Sequence, residues 1–413
     1  MRIATSQLYS SSVATMENQQ SQILQVEQAI SSGVAITNPA DNPLGAAQAV
    51  QLSATSATLS QYSTNQSTAL TSLQLEDSTL SSVTGTLQSI NSLMQEAMNG
   101  SLSDSDRQAI AKQMEGDRNQ LMTLANTTDG AGNYLFSGFQ STSQVFTNKS
   151  GGGVDYNGDA GQRLVQVSGS RQIAVGDSGA SVFMSVLSVG SSAVSAGDAQ
   201  NTGTGTIGGV TVTDPTQPTN SDNLKITFSG TADSLTYTVT DTSASPNTNL
   251  TTDQPYTDGS PISLGSGMNV TISGTPASGD KFTVTPATAA ANTSVFQSID
   301  NVISALQSPT TGSAAANATL TNALTTGMTQ LGNSLSNVIT VQASVGGREQ
   351  ELQALQTMTS TNSLQVTTSL DNLTSTDMTA AISQYTQLSN ALTASQKSFA
   401  ATQNLSLFQY INP

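Results

Sequence analysis

The chain has no cysteine, no histidine and no tryptophan in its 413 residues. Without imidazole or thiolate it cannot build the usual zinc sites, thiol nucleophiles or Ser-His-Asp triads. Without cysteine it has no disulfide framework and must hold together by burial alone. Charge is scarce as well, at 9% of residues, and aromatics make up 4%. Eleven basic residues stand against twenty-seven acidic ones, giving a formal net charge of −16. Such a balance repels phosphate backbones and anionic lipid, and the few Lys and Arg are scattered singly, so nucleic acid is not expected as a partner. No run of eighteen apolar residues occurs, so membrane insertion is not expected. Met1-Arg2-Ile3-Ala4-Thr5-Ser6-Gln7 is followed by no apolar run, and a cleavable signal peptide is not expected either. These absences predict no catalytic, cofactor or metal site. The chain reads as a structural protein rather than an enzyme.

What is present is a helix-β-helix layout. Residues 1 to about 140 and about 290 to 413 are poor in Gly and rich in Ala, Leu, Gln, Ser and Thr, while the stretch between holds most of the Gly and Pro. The fold class expected is α+β: a long antiparallel helical coiled coil or bundle formed by both chain ends, with an inserted all-β middle domain or two small β subdomains. Within it, 1–40 and 375–413 are expected to be terminal assembly helices, 41–140 and 290–374 a helical rod, and 141–289 a β-rich outer domain, split near 190–206.

The rod is marked by heptads. Leu73, Leu80, Leu87 and Met94 share one register, with Val83 and Ile90 beside them. Asp41, Asn42 and Pro43 offer a cap and first-turn proline for a helix ending near Asn99 and Gly100. A second helix is expected from Asp104 or Ser105 to about Asn126. In the carboxyl half Leu324, Leu331, Val338, Val345, Leu352, Val366 and Leu373 repeat every seventh position, interrupted by Thr359. These seams are expected mainly as an intramolecular core. Gly346 and Gly347 predict either a kink or a point of close packing.

The terminal segments carry heptads of their own: Val13, Met16, Ile23 and Ile30 near the start, and Met378, Ile382, Tyr385, Leu388, Leu392 and Phe399 near the end, with Leu407 and Phe408 beyond. Helices so rich in Ser and Thr lack the propensity to stay folded alone in water. Both are expected to be loose in the free chain and to order on packing against other subunits.

Between 141 and 290 the period changes to two, at Leu224, Ile226 and Phe228, at Leu235, Tyr237 and Val239, at Val270 and Ile272, and at Phe282 and Val284. Asn157-Gly158 is a hairpin-turn signal. Residues 190–222, rich in Gly, Ser and Thr with two prolines, read as a loop or linker. Asp155, Asp159 and Asp177 match no calcium-loop spacing and read as turn residues. The pairs Glu76 with Asp77 and Asp104 with Asp106 are not expected to be catalytic. Arg348 and Glu349 read as a solvated helix face, and Asn133-Tyr134-Leu135-Phe136 as a plug where helices meet the β domain.

Several stretches together resemble the bacterial flagellin superfamily, nearest to its hook-associated protein 3 branch. They are Met1-Arg2-Ile3 with Thr5-Ser6-Gln7; Ser31-Ser32-Gly33 with Ile36 and Asn38-Pro39-Ala40-Asp41-Asn42-Pro43; Gly132 to Gly138; Val345 to Leu352 with Arg348; and Asp377 to Tyr410. The resemblance covers about 1–185 and 290–413 and leaves 190–285 unassigned. It implies an extracellular flagellar protein, exported without a cleavable signal by the flagellar type III apparatus. It implies as partners further copies of itself, the first hook-filament junction protein, flagellin and an export chaperone. It also implies an adaptor between hook and filament and raises a subunit contact at Arg348. A flagellin filament subunit and a coiled-coil surface adhesin are the alternatives.

Overall fold

The computed structural model describes residues 2–40, 42–140, 142–184, 193–231, 233–265, 267–286 and 294–404. Among the described residues there are six α-helices: α1 (Arg2–Ser32), α2 (Pro43–Ala97), α3 (Asp104–Ala125), α4 (Val295–Gln307), α5 (Ala314–Thr374) and α6 (Met378–Asn404). The described strands lie between α3 and α4, so the architecture is α+β. The chain divides into two compact units, one of residues 1–65 with 354–413 and one of residues 66–353. Each is described in its own right.

In the unit of 66–353, α2 buries Leu73, Leu80, Val83, Leu87, Ile90 and Met94, and α5 buries Leu324, Leu331, Val338, Val345 and Leu352. Both helices are dense in Ser and Thr, and several of these hydroxyls turn back onto their own helix. Buried Thr79 donates to the Leu75 carbonyl at 2.8 Å and Thr86 to the Ser82 carbonyl at 3.0 Å. A hydroxyl satisfied within its own helix costs little to bury. Two shorter helices widen this core. Ile110, Met114 and Leu121 of α3 are buried, as are Val295, Phe296, Ile299, Val302 and Leu306 of α4, whose apolar positions fall on one stripe. At Gly327 of α5 a Cβ would lie 2.2 Å from Val302, so the approach of α4 requires glycine there.

The ends of α3 are fixed by polar contacts. Ser103 and Asp106 form a reciprocal capping box. Asp104 takes hydrogen bonds from Thr311 and Thr310 and pairs with Arg107, which together hold its carboxyl well below the usual range. Arg118, buried, forks onto Asp300 of α4 at 3.0 and 3.1 Å and reaches Asn148 at 2.5 Å.

After α3 the chain forms two hairpins: β1 (Phe146–Asn148) with β2 (Val154–Tyr156), and β3 (Leu164–Ser168) with β4 (Arg171–Ala174). The first turns at Gly151, Gly152 and Gly153, all at positive φ, and not at Asn157-Gly158. The Asn-Gly pair follows β2, and the Tyr156 hydroxyl would meet a Cβ on Gly158 at 2.5 Å. Phe136, Phe146, Phe183 and Phe296 form a buried aromatic cluster with ring centroids 5.3 to 6.1 Å apart. Phe136 of the Asn133–Phe136 segment joins this cluster through Phe183.

The remaining strands make a two-sheet sandwich. β5 (Val194–Gly197), β6 (Thr206–Ile207), β7 (Thr211–Val212), β8 (Leu224–Thr231), β9 (Ser234–Asp241), β10 (Thr248–Pro255), β11 (Pro261–Ser263), β12 (Met268–Ser273) and β13 (Lys281–Thr285) follow in order. One sheet has the order β10-β9-β8-β13-β5; the other has β11-β12-β6, with β7 also on β12. The alternating residues Leu224, Ile226, Phe228, Val239, Val270, Ile272, Phe282 and Val284 form the shared core. The expectation of a linker over 190–222 is corrected here, because β5, β6 and β7 lie within it. These strands are two to four residues long and built from Gly, Ser, Thr, Ala, Ile and Val, too short to show a period. The outermost strand, β10, breaks register twice and carries Asp253 at φ 49° and Pro255, which blunts it against edge-to-edge pairing.

Side chains of α5 hold the sandwich. Asn322 accepts the Ile207 N–H at 2.8 Å and donates to the Gly205 carbonyl at 3.1 Å. Thr326 donates to the Ser195 carbonyl at 2.6 Å. Replacing Asn322 with Ala would orphan a buried donor and acceptor, so N322A is expected to lose about 1–3 kcal/mol of stability. Hydrogen exchange should quicken at the Ile207 amide while the α2 core amides keep their protection; unchanged exchange at Ile207 would show the bond to be dispensable.

Candidate assembly surfaces

In the unit of 1–65 and 354–413, α1 packs along α6. Both enter from a shared elbow. Ser32 ends α1, Gly33 follows at φ 71°, and Val34 bridges to Ser375. The Ala35 N–H donates to the Thr374 carbonyl at 2.7 Å and the Thr376 N–H to the Gly33 carbonyl at 2.9 Å. Asp377 caps α6 by accepting the N–H groups of Thr379 and Ala380, both at 3.0 Å. Asn42 caps α2 through the Gly45 N–H at 2.9 Å, ahead of Pro43 in the first turn. A Cβ on Gly45 would sit 2.5 Å from Asn42 and 2.9 Å from Ile36, so glycine is what lets the elbow close. The two chain segments therefore change direction together, tied by backbone hydrogen bonds that rest on little side-chain chemistry.

Beyond the elbow the apolar side chains are incompletely covered. Val13, Met16, Ile23 and Ile30 of α1 are half-buried, as are Leu388, Leu392 and Phe399 of α6, and the Phe399 ring lies 5.2 Å from that of Tyr9. Met378, Ile382 and Tyr385 stay exposed, with Ile382 at 53% and Leu24 on α1 at 59%. Leu407 and Phe408 lie outside the described residues. On the neighbouring stretches of α2 and α5, Leu44, Val50, Met358 and Leu364 are exposed, and Leu59, Ser63, Leu364 and Thr367 line a shallow groove. Val366 and Leu373, expected in the rod core, are only half-buried. The reason is local: α3, α4 and the hairpins, which complete the core over 66–353, have no counterpart in this unit.

Arg348 is not the solvated side chain expected of a helix face. It pairs with Asp177 and donates to the Ala174 carbonyl at 3.0 Å. Asp177, expected in an exposed turn, is buried, accepts Gln162 at 2.7 Å, and gives its own N–H to Glu76 at 2.9 Å. The sequence carried no signal for this cluster, because its members lie about 100 and 171 residues apart. Gly346 and Gly347 beside Arg348 lie inside continuous α5, and an added Cβ would meet nothing within 4 Å, so they mark no close approach within the chain. Asp159 does read as a turn residue, accepting the N–H groups of Phe139 and Gly161. Among the described residues no group of acidic side chains could hold a metal ion, and no helix is long and apolar enough to cross a membrane.

Comparison with known proteins agrees with this architecture. Residues 3–141 match the family described as the bacterial flagellin N-terminal helical region. Residues 196–286 match the D2-like domain of flagellar hook-associated protein 1, a likeness the sequence reading left unassigned. The chain is 30% identical to flagellar hook-associated protein 3 of Escherichia coli K12 over 99% of both chains. Among solved structures it is similar to FlgL of Xanthomonas campestris, with a TM-score of 0.67 at 29% identity, covering 76% of this chain and 98% of that one. It is likewise similar to the flagellar junction protein FlgL of Legionella pneumophila, with a TM-score of 0.67 at 28% identity, covering 80% and 100%. Full-length similarity, shared fold and the flagellin-type helical region together place the chain in the flagellar hook-associated protein 3 family.

Proposed function

We propose that the protein is a structural adaptor of the bacterial flagellum, joining the hook, through the first junction protein, to the flagellin filament. It acts outside the cell after export, by packing rather than catalysis. The observation that carries this reading is the terminal helix pair, whose apolar stripes on α1 and α6 keep large exposed side chains such as Leu24, Ile382 and Tyr385. Two helices bury only one seam between them, and helices so rich in Ser and Thr gain little from intrinsic propensity. Neighbouring subunits supply the missing surface, and burial at roughly 25 cal/mol per Å² of apolar area supplies the ordering free energy that the termini lack alone. The first junction protein and flagellin are its neighbours at either side, and an export chaperone covers the same stripes before assembly. The outer sandwich, of a kind shared with hook-associated protein 1, is a spacer held by α5 and takes no part in the packing.

Two outcomes are expected. Deleting residues 377–413 should leave 66–353 folded and abolish joining of filament to hook; filaments still anchored by the truncated chain would refute the mechanism. In the free chain trypsin should cut first at Lys397, which is exposed on α6, while buried Arg107 and Arg118 resist. Resistance at Lys397 equal to that at Arg118 would mean that the terminal pair is already stable without partners.

A further inference from the structure

Glu76 sits in the middle of α2 with no solvent exposure. One carboxylate oxygen accepts the Asp177 N–H at 2.9 Å; the other, Oε2, is buried and has no hydrogen-bond partner among the described residues. The site therefore holds two carboxyl groups, Glu76 and Asp177, and one guanidinium, that of Arg348, already paired with Asp177. Were both carboxyls ionised, a dry site would carry an uncompensated negative charge and an unsatisfied anionic oxygen, the costliest kind of buried group.

The surrounding charges relieve this only in part: burial and the charge of Asp177 outweigh the Arg348 guanidinium, which draws the Glu76 carboxyl down. On α2, Asp77 accepts Gln342 at 3.1 Å and is itself acidic. On α5, Glu349 adds a second acid whose carboxyl is raised by its own burial and by Asp77, and Glu351 is paired with Arg171 of β4 at 2.6 Å. Arg163, on the segment entering β3, exerts its charge on Asp129. Gln162, which reaches Asp177, is neutral.

We infer that Glu76 is a proton-binding site whose proton keeps the contact between α2, the 174–178 segment and α5 electrically neutral, so that the fold of residues 66–353 weakens when this proton is lost. Burial, and next the charge of Asp177, push the Glu76 carboxyl up from 4.5 to about 7. The sign follows from linkage. A carboxyl with a raised folded-state pKa binds its proton more tightly when folded, so its contribution is complete below 4.5 and is lost as pH rises through about 7. The depressed carboxyls, Asp104 among them, act in the opposite direction, losing their contribution as pH falls. A comparison with a Glu76 variant isolates the contribution of this carboxyl.

The test uses the full-length chain. Glu76→Gln keeps an oxygen for the Asp177 N–H and places an uncharged amide where Oε2 lies. Denaturant unfolding of wild type and E76Q is compared at about pH 5 and about pH 8.5. Relative to the variant, the folded-to-unfolded ratio of wild type should fall about tenfold per pH unit between 4.5 and about 7. An equal pH dependence in both proteins would overturn the inference. Infrared spectroscopy of folded wild type gives a readout independent of the variant's stability. A protonated-carboxyl stretch should persist at about pH 6, where exposed Glu side chains are ionised, and vanish by about pH 8.5. Its absence at about pH 6 would equally overturn the inference.

Discussion

The structure depends on how many elements are available to cover a narrow apolar stripe. Every long helix of this chain carries a seam of one apolar residue in three or four, flanked by Ser, Thr, Gln and Asn. Such a helix is stable only where neighbours close over the stripe from more than one side. Over 66–353 that condition is met: α3, α4 and the hairpins close over α2 and α5, and Leu73, Leu80, Leu331 and Val345 are all but inaccessible to solvent. Over 1–65 and 354–413 it is not met, and the same heptads continue with Val366, Leu373 and Ile23 only half-buried. One sequence pattern thus yields a folded core in one unit and an incompletely covered apolar surface in the other. The difference lies in the insertion between the two halves and not in the helices themselves.

Charge follows the same economy. With 9% charged residues the chain has few ions to pair, and it places several of its arginines at joints. Arg107 ties the start of α3 to the turn before α5, Arg118 ties α3 to α4 and the first hairpin, and Arg348 ties α5 to the loop after β4. Each guanidinium answers several acceptors contributed by different elements, a task that its planar fork performs and an ammonium would not. Buried pairs of this sort are weak sources of stability, but breaking one is costly, so they serve as fasteners between parts whose apolar contacts alone would allow sliding. Asn322 and Thr326 do the same for the sandwich without charge.

Much of this was legible in the sequence, for a physical reason: long helices announce themselves by repetition. The start of α2 followed from Asn42-Pro43, that of α3 was expected at Asp104 or Ser105, and the sandwich core followed from period-two runs such as Leu224-Ile226-Phe228. Strands β5, β6 and β7 were not legible, since two to four residues of Gly, Ser, Thr, Ala, Ile and Val hold no period and their pairing partners come from 56 or more residues away. Arg348, Asp177 and Glu76 escaped because side-chain pairing across such distances leaves no local trace. The turn at Gly151–Gly153 prevailed over Asn157-Gly158 because three consecutive glycines permit the positive φ values that the short β1-β2 loop demands.

In the proposed assembly the terminal helices borrow stability from other subunits. Hydrogen exchange of the free chain and of the assembled polymer, read amide by amide, measures that directly. The account predicts that amides in 2–32 and 378–404 exchange near unprotected rates in the free chain and become strongly protected in the polymer, while those of 66–97 are protected in both. Strong protection of both terminal helices in the free chain, unchanged on assembly, would contradict it.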